Sequence, residues 1–209
     1  MTASDYQGTP DGLTEAWHNR IDIGQPAAFP VMVDALRKLQ DQLTGSNPPE
    51  QVATKIADTI SALTRELAGY AVDERHQVAG RLVGIPGRGQ CMIPPVEITE
   101  YSDTNARGYM NFGRSYLGGN GAVHGGAIPL VFDELMGRLA NTGGRTPSRT
   151  AYLHVNYRNI TPIETRLAIE AHFDSEKGRK RVLAGTIRDG DTTCADAEGL
   201  FVALRPGQP

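Results

Sequence analysis

From Val96 onward the chain is built of short strand-like segments with a single helix among them. Val96–Tyr101 and residues 107–113 come first, parted by the turn-like Ser102, Asp103, Thr104 and Asn105. A helical stretch over 127–141 follows. Four more strand candidates close the chain, at 150–157, 165–174, 179–188 and 193–203. The links Glu176, Lys177, Gly178 and Asp189, Gly190, Asp191 are short and turn-like. Strands joined this way read as an antiparallel meander, because parallel neighbours need a crossover of about a dozen residues or more. The expectation is an α+β fold, a curved antiparallel sheet wrapped around one long helix that covers its inner face.

The first 95 residues have a different period. Residues 28–44 carry Phe29, Met32, Val33, Leu36, Leu39 and Leu43, one apolar stripe at helical spacing, and Gly45, Asn47, Pro48 and Pro49 end it. Residues 50–69 repeat the theme with Val52, Ile56, Ile60, Leu63 and Leu67. Two such helices on a tight polar link read as a helical hairpin whose stripes cover the sheet domain or a neighbouring subunit. A lid or an interaction module is the alternative. Residues 1–27 read as a loose polar arm. Residues 77–95, broken by Gly80, Gly84, Pro86, Gly87, Gly89, Pro94 and Pro95, read as a linker with Arg81 and Arg88 in solvent. The division expected is an N-terminal helical extension with its linker, 1–95, and the main domain, 96–209.

Composition removes several classes of function. A net charge of −3, from 21 basic and 24 acidic residues, does not suit a nucleic-acid binder. Cys91 and Cys194 are too few for a disulfide scaffold, and His18, His76 and His172 lack partners at metal-ligand spacing, so neither a metal nor a cofactor is expected. Thiol usage points to a reducing, cytoplasmic setting. No apolar run approaches membrane-spanning length, and the polar start has no leader-like pattern.

The chemistry gathers at the helix. Gly118, Gly119, Asn120, Gly121, Ala122, Val123, His124, Gly125 and Gly126 run directly into it. Glycines let backbone approach a ligand, and a helix start leaves N–H groups without intrahelical acceptors. His124, Gly125 and Gly126 can therefore form an oxyanion hole or, more plainly, a capped turn. Asp133 has only Pro129, Leu130, Met136 and Gly137 three and four residues away, so it is a carboxylate without a basic helical neighbour. Glu134 has Arg138 four residues on and reads as an ordinary surface pair. Burial would make Asp133 a stronger base.

These residues resemble a known pattern. His124, Gly125 and Gly126, an acid nine positions after the His at Asp133, then Thr150 opening a strand that reaches Tyr157 before Pro162, resemble the hotdog-fold acyl-CoA thioesterases. The branch most similar includes the bacterial phenylacetate-pathway thioesterase and the human thioesterase-superfamily proteins. The resemblance covers residues 96–203, about half the chain. It implies that Asp133 is the general base or the nucleophile, that the Gly126 N–H holds the thioester carbonyl with Gly125 shaping the turn, that His124 positions that turn, and that Thr150 orients water or the carboxylate. It also implies a homo-oligomer, a dimer or a dimer of dimers, whose sites are shared between subunits. One departure stands out. Many members carry an amide six positions before the His, where this chain has Gly118, and Asn120 is the nearest substitute.

The expected substrate is an acyl or aryl-acyl thioester of coenzyme A or acyl-carrier protein, with Ile128, Phe132, Leu135 and Met136 as an apolar floor. Lys177, Arg179, Lys180 and Arg181 form a basic hairpin. With Arg158, the residues Arg179 and Arg181 are candidates for the carrier's phosphates. His154, two positions after Tyr152, is read on the same strand face as Thr150. A non-catalytic acyl-CoA-binding regulator is the competing reading, and hotdog dehydratase chemistry a weaker rival.

Overall fold

The structure, a computed structural model, describes residues 28–82 and 85–208; the arm expected over 1–27 lies outside them. Among the described residues three α-helices, α1 (Ala28–Thr44), α2 (Glu50–Ala68) and α3 (Ala127–Ala140), accompany eight strands. The strands are β1 (Val96–Tyr101), β2 (Asn105–Met110), β3 (Leu117–Gly119), β4 (Ala122–Val123), β5 (Ser148–Tyr157), β6 (Leu167–Lys177), β7 (Lys180–Asp189) and β8 (Thr192–Ala203). Strands β3 and β4 form a small ribbon, and the other six form one antiparallel sheet in the order β1-β2-β6-β7-β8-β5.

Alternation builds the sheet's two faces. Leu167, Ile169 and Ala171 on β6, Leu183 and Ile187 on β7, and Ala195, Ala197 and Phe201 on β8 all point to one buried side. There they meet Val131, Phe132, Leu135, Met136 and Leu139 of α3, which packs against β2, β5, β6, β7 and β8. Lys177 pairs with Lys180, and Asp189 with Thr192, so both hairpins turn in two residues. Gly178 and Gly190 supply the positive φ that such turns need.

Two expectations fail. The last four strands are not a single meander, because β5 pairs with β8 on the far side rather than with β6. The two-residue turns confine β6, β7 and β8 to neighbours, whereas residues 158–166 are long enough to carry the chain across. The helical hairpin does not close either. Helix α1 docks by one face only: Val33 is buried, Arg37 Nη2 donates to the carbonyls of Pro86 (2.9 Å) and Gln90 (2.6 Å), and Asp41 Oδ1 accepts the Ser115 N–H at 2.8 Å. Met32, Leu36 and Leu43 remain exposed. Helix α2 buries no residue and does not pack along α1.

Candidate active site

Asp133 sits on the one flank of α3 that the sheet leaves open. Gly126, Pro129, Leu130, Asp133 and Gly137 recur at helical spacing along that flank, and none of them is buried. The next residue, Glu134, turns inward and is only 7% exposed. The sequence expectation is thus reversed: Asp133 is the exposed carboxylate and Glu134 the buried one.

Edge strand β5 runs past this flank, and a bulge decides what it offers. Thr150 pairs with Phe201, but Tyr152 pairs with Leu200, so Ala151 is an extra residue. A bulge of this kind reverses which residues face inward beyond it. Ser148 and Thr150 therefore share the helix side with Leu153 and Val155, while Tyr152, His154 and Asn156 face outward. His154 is accordingly not on the face of Thr150, as simple alternation predicts. It lies on the outer face, where its Nε2 is 3.1 Å from Asn156 Oδ1. Asn141 sets the register at the start of β5. Its side chain donates to the Gly137 carbonyl (2.7 Å) and accepts from Ser148 N–H (2.8 Å) and Oγ (3.0 Å). Two residues on, Thr150 Oγ1 donates to Asp133 Oδ1 at 2.7 Å.

The glycine turn lies at the other end of α3. Gly126 is the residue before the first turn, and its N–H donates to His124 Nδ1 at 3.0 Å. The His124 N–H donates to the Tyr116 carbonyl (2.7 Å) and its carbonyl accepts from Ala127 (2.8 Å). Tyr157, at the end of β5, donates its hydroxyl to the Gly125 carbonyl at 2.8 Å. Gly118 explains the missing amide: a Cβ there would lie 2.7 Å from His124 Cα and 2.9 Å from its nitrogen. The chain beside His124 leaves no room for a side chain at 118. Asn120 sits at the β3–β4 turn with φ 50°.

Seven residues separate Gly126 from Asp133, two helical turns and about 10 Å at ~1.5 Å per residue. The two groups face the same way, but within one chain they are too far apart to act on one carbonyl carbon.

Around Asp133 the surface forms an open cleft of about 350 Å³, lined by Arg88, Glu134, Arg138, Arg149, Thr150 and Phe201 among others. Arg88 reaches in from the linker turn Pro86–Gly89, where Gly87 and Arg88 both have positive φ. Its Nη2 donates to Glu134 Oε2 at 2.7 Å. Glu134 Oε1 lies 4.0 Å from Arg138 Nη1. Burial pushes the Arg138 guanidinium down to about 10, opposed by Glu134 and assisted by Arg88. It stays charged at neutral pH, and the cleft carries an excess of positive charge. Sequence reading placed Arg88 in solvent. Its partner lies 46 positions away, beyond any helical or strand period.

The other predicted binding residues are not at this cleft. Arg181 is 4% exposed, and its guanidinium donates to Glu176 (2.9 Å) and to the carbonyls of Ala140 and Thr146 (both 2.8 Å). It is a structural strut at the C-terminal end of α3 and is not available to a phosphate. Arg179 donates to the Ala203 carbonyl at 2.9 Å, and Arg158 is held by Asp196. The four residues expected as an acyl floor, Ile128, Phe132, Leu135 and Met136, are packed in the core.

Comparison with known proteins agrees with this architecture. A family model described as the thioesterase superfamily matches residues 120–195. Acyl-coenzyme A thioesterase THEM4 of Bos taurus is 35% identical over 97 residues, 45% of this chain and 39% of that protein. THEM4 of Mus musculus is 32% identical over 91 residues, 43% of this chain and 39% of that protein. The match thus spans well under half the length of either relative. A crystal structure of a thioesterase superfamily protein superposes with a TM-score of 0.73 and 28% identity, covering 85% of this chain and 92% of the other. No helix among the described residues is long and apolar enough to cross a membrane. With the glycine turn, the acid nine positions on and the sheet around α3 in place, the chain has the hotdog fold, and its residues 120–195 match the thioesterase superfamily.

Proposed function

We propose that the protein hydrolyses an acyl or aryl-acyl thioester of coenzyme A or acyl-carrier protein, with Asp133 of one chain and Gly126 of a second copy acting on the same carbonyl. The Asp133–Thr150 hydrogen bond in an open, cationic cleft carries this reading. A carboxylate fixed by one hydroxyl keeps its second oxygen for water, and guanidinium groups suit the phosphates of either carrier. Asp133 takes a proton from water as its oxygen attacks the carbonyl carbon. The carbonyl oxygen gains negative charge and accepts from the Gly126 N–H, replacing His124 Nδ1 as that donor's partner. The C–S bond then breaks, the thiolate takes the proton, and free acid and thiol leave. Direct attack by the carboxylate, giving an anhydride that water opens, is the other route open to the same residues.

The two-turn separation within one chain supports a homodimer, or a dimer of dimers, in which two α3 helices lie antiparallel by their open flanks. Gly126 and Gly137 leave those flanks flat, with Pro129 and Leu130 between them. Asp133 would then face the Gly126 of the second copy. The free thiols Cys91 and Cys194 suit a cytoplasmic location.

The test is release of free thiol from acetyl-, hexanoyl-, palmitoyl- and phenylacetyl-CoA by the protein and by Asp133→Asn. Turnover should fall about 10²-fold or more with a much smaller change in KM. Thr150→Ala should cost less, since water can replace an orienting hydroxyl. Binding of these thioesters without turnover of any would overturn the reading in favour of a non-catalytic acyl-CoA binder.

A further inference from the structure

Helix α2 presents an apolar surface that nothing among the described residues covers. Val52, Ile56, Ile60, Leu63 and Leu67 form a continuous stripe, each between 37% and 54% exposed, and no residue of the helix is buried. In proteins most helical stability comes from packing an amphipathic face, and a stripe this regular is made to be covered. The order of the stripe says by what. Read backwards along an antiparallel mate, Val52 meets Leu67, Ile56 meets Leu63, and Ile60 lies beside its own counterpart at the centre. The charges obey the same symmetry. Lys55 and Glu66 are eleven residues apart, so they lie on one flank of the stripe, with Thr59 between them. In an antiparallel pair like flanks face each other, which brings Lys55 of each helix to Glu66 of the other. Asp58 and Arg65 point to the opposite, solvated side.

We propose that α2 is a self-association arm that pairs antiparallel with α2 of a second copy of this chain about a two-fold axis near Thr59 and Ile60. The pairing is self-complementary, as a two-fold contact must be. A lipid surface is a poorer occupant, because α2 carries three acidic residues against two basic ones. A standard interface uses about 20–30 residues a side, and one face of α2 supplies fewer. The contact therefore reinforces the assembly or links dimers. It does not depend on the site chemistry proposed above.

The experiment uses the full chain with Cys91→Ser. Thr59→Cys should give a disulfide-linked pair under mild oxidation, and Asp58→Cys, on the opposite face, should not. Separately, Lys55→Glu should place like charges on both flanks and raise the dissociation constant in sedimentation equilibrium about tenfold. Adding Glu66→Lys should restore it. No linkage at position 59, equal linkage at 58 and 59, or a double variant no tighter than the single one would overturn the proposal. So would capture of α2 by anionic phosphatidylserine vesicles without chain–chain linkage.

Discussion

Asp133 and Glu134 are adjacent acids with opposite fates. A single residue step along the helix, about 100°, puts Asp133 on the open flank and Glu134 against Arg88 and Arg138, where its side chain is 5% exposed. Periodicity identified Asp133 as the carboxylate without a local basic partner, and it does lie beside Thr150. The same reasoning misread Glu134, because Arg88 approaches from a turn 46 residues earlier and carries no periodic signal. The buried pair has a stability consequence. Glu134→Gln keeps the shape but leaves two guanidinium groups without their anion, and breaking a buried ion pair typically costs about 3–5 kcal/mol. Urea unfolding of Glu134→Gln should show a loss of that order. A loss under ~1 kcal/mol would mean that the cluster is hydrated and contributes as little as a surface pair.

At the scale of elements, local pattern and long-range pairing divide what the sequence reveals. The alternation of β6, β7 and β8, the presence of short turns between them and the extent of α3 all follow from side-chain period and turn chemistry and were legible, although the turns are two residues long and not three. The position of β5 beside β8 was not, since residues 158–166 permit either neighbour. Nor was the Ala151 bulge, which puts Thr150 on the helix face and His154 on the other. The hairpin of α1 and α2 failed for a related reason. Amphipathic spacing says that a stripe is to be covered but not by which surface. Gly118 shows how a departure from family pattern becomes intelligible only in three dimensions. Gly118→Ala would drive a methyl group to 2.7 Å from His124 Cα and displace the turn that holds Gly126. Turnover should drop at least tenfold while α3 and the Asp133–Thr150 pair persist. Thiol-release kinetics beside a thermal melt will show whether activity falls further than stability.

For the whole molecule, the proposed site is distributed over the two ends of one helix. Each chain offers an acid with its hydroxyl at Asp133 and a backbone donor at Gly126, about 10 Å apart along α3. In the proposed dimer an antiparallel second copy would bring each acid to the other chain's donor and make two complete sites from two incomplete chains. That claim can be tested by complementation. Asp133→Asn removes the base. Gly126→Pro removes the N–H, and its fixed φ suits the observed −70° at this position. Each variant alone should be nearly inactive. When the two are co-expressed in equal amounts, half of the dimers are mixed, and each mixed dimer holds one site with both native groups. The account predicts recovery of roughly a quarter of native thioesterase activity, by random pairing of two-fold dimers. Activity no greater than that of the separate variants, with mixed dimers shown to be present, would contradict it.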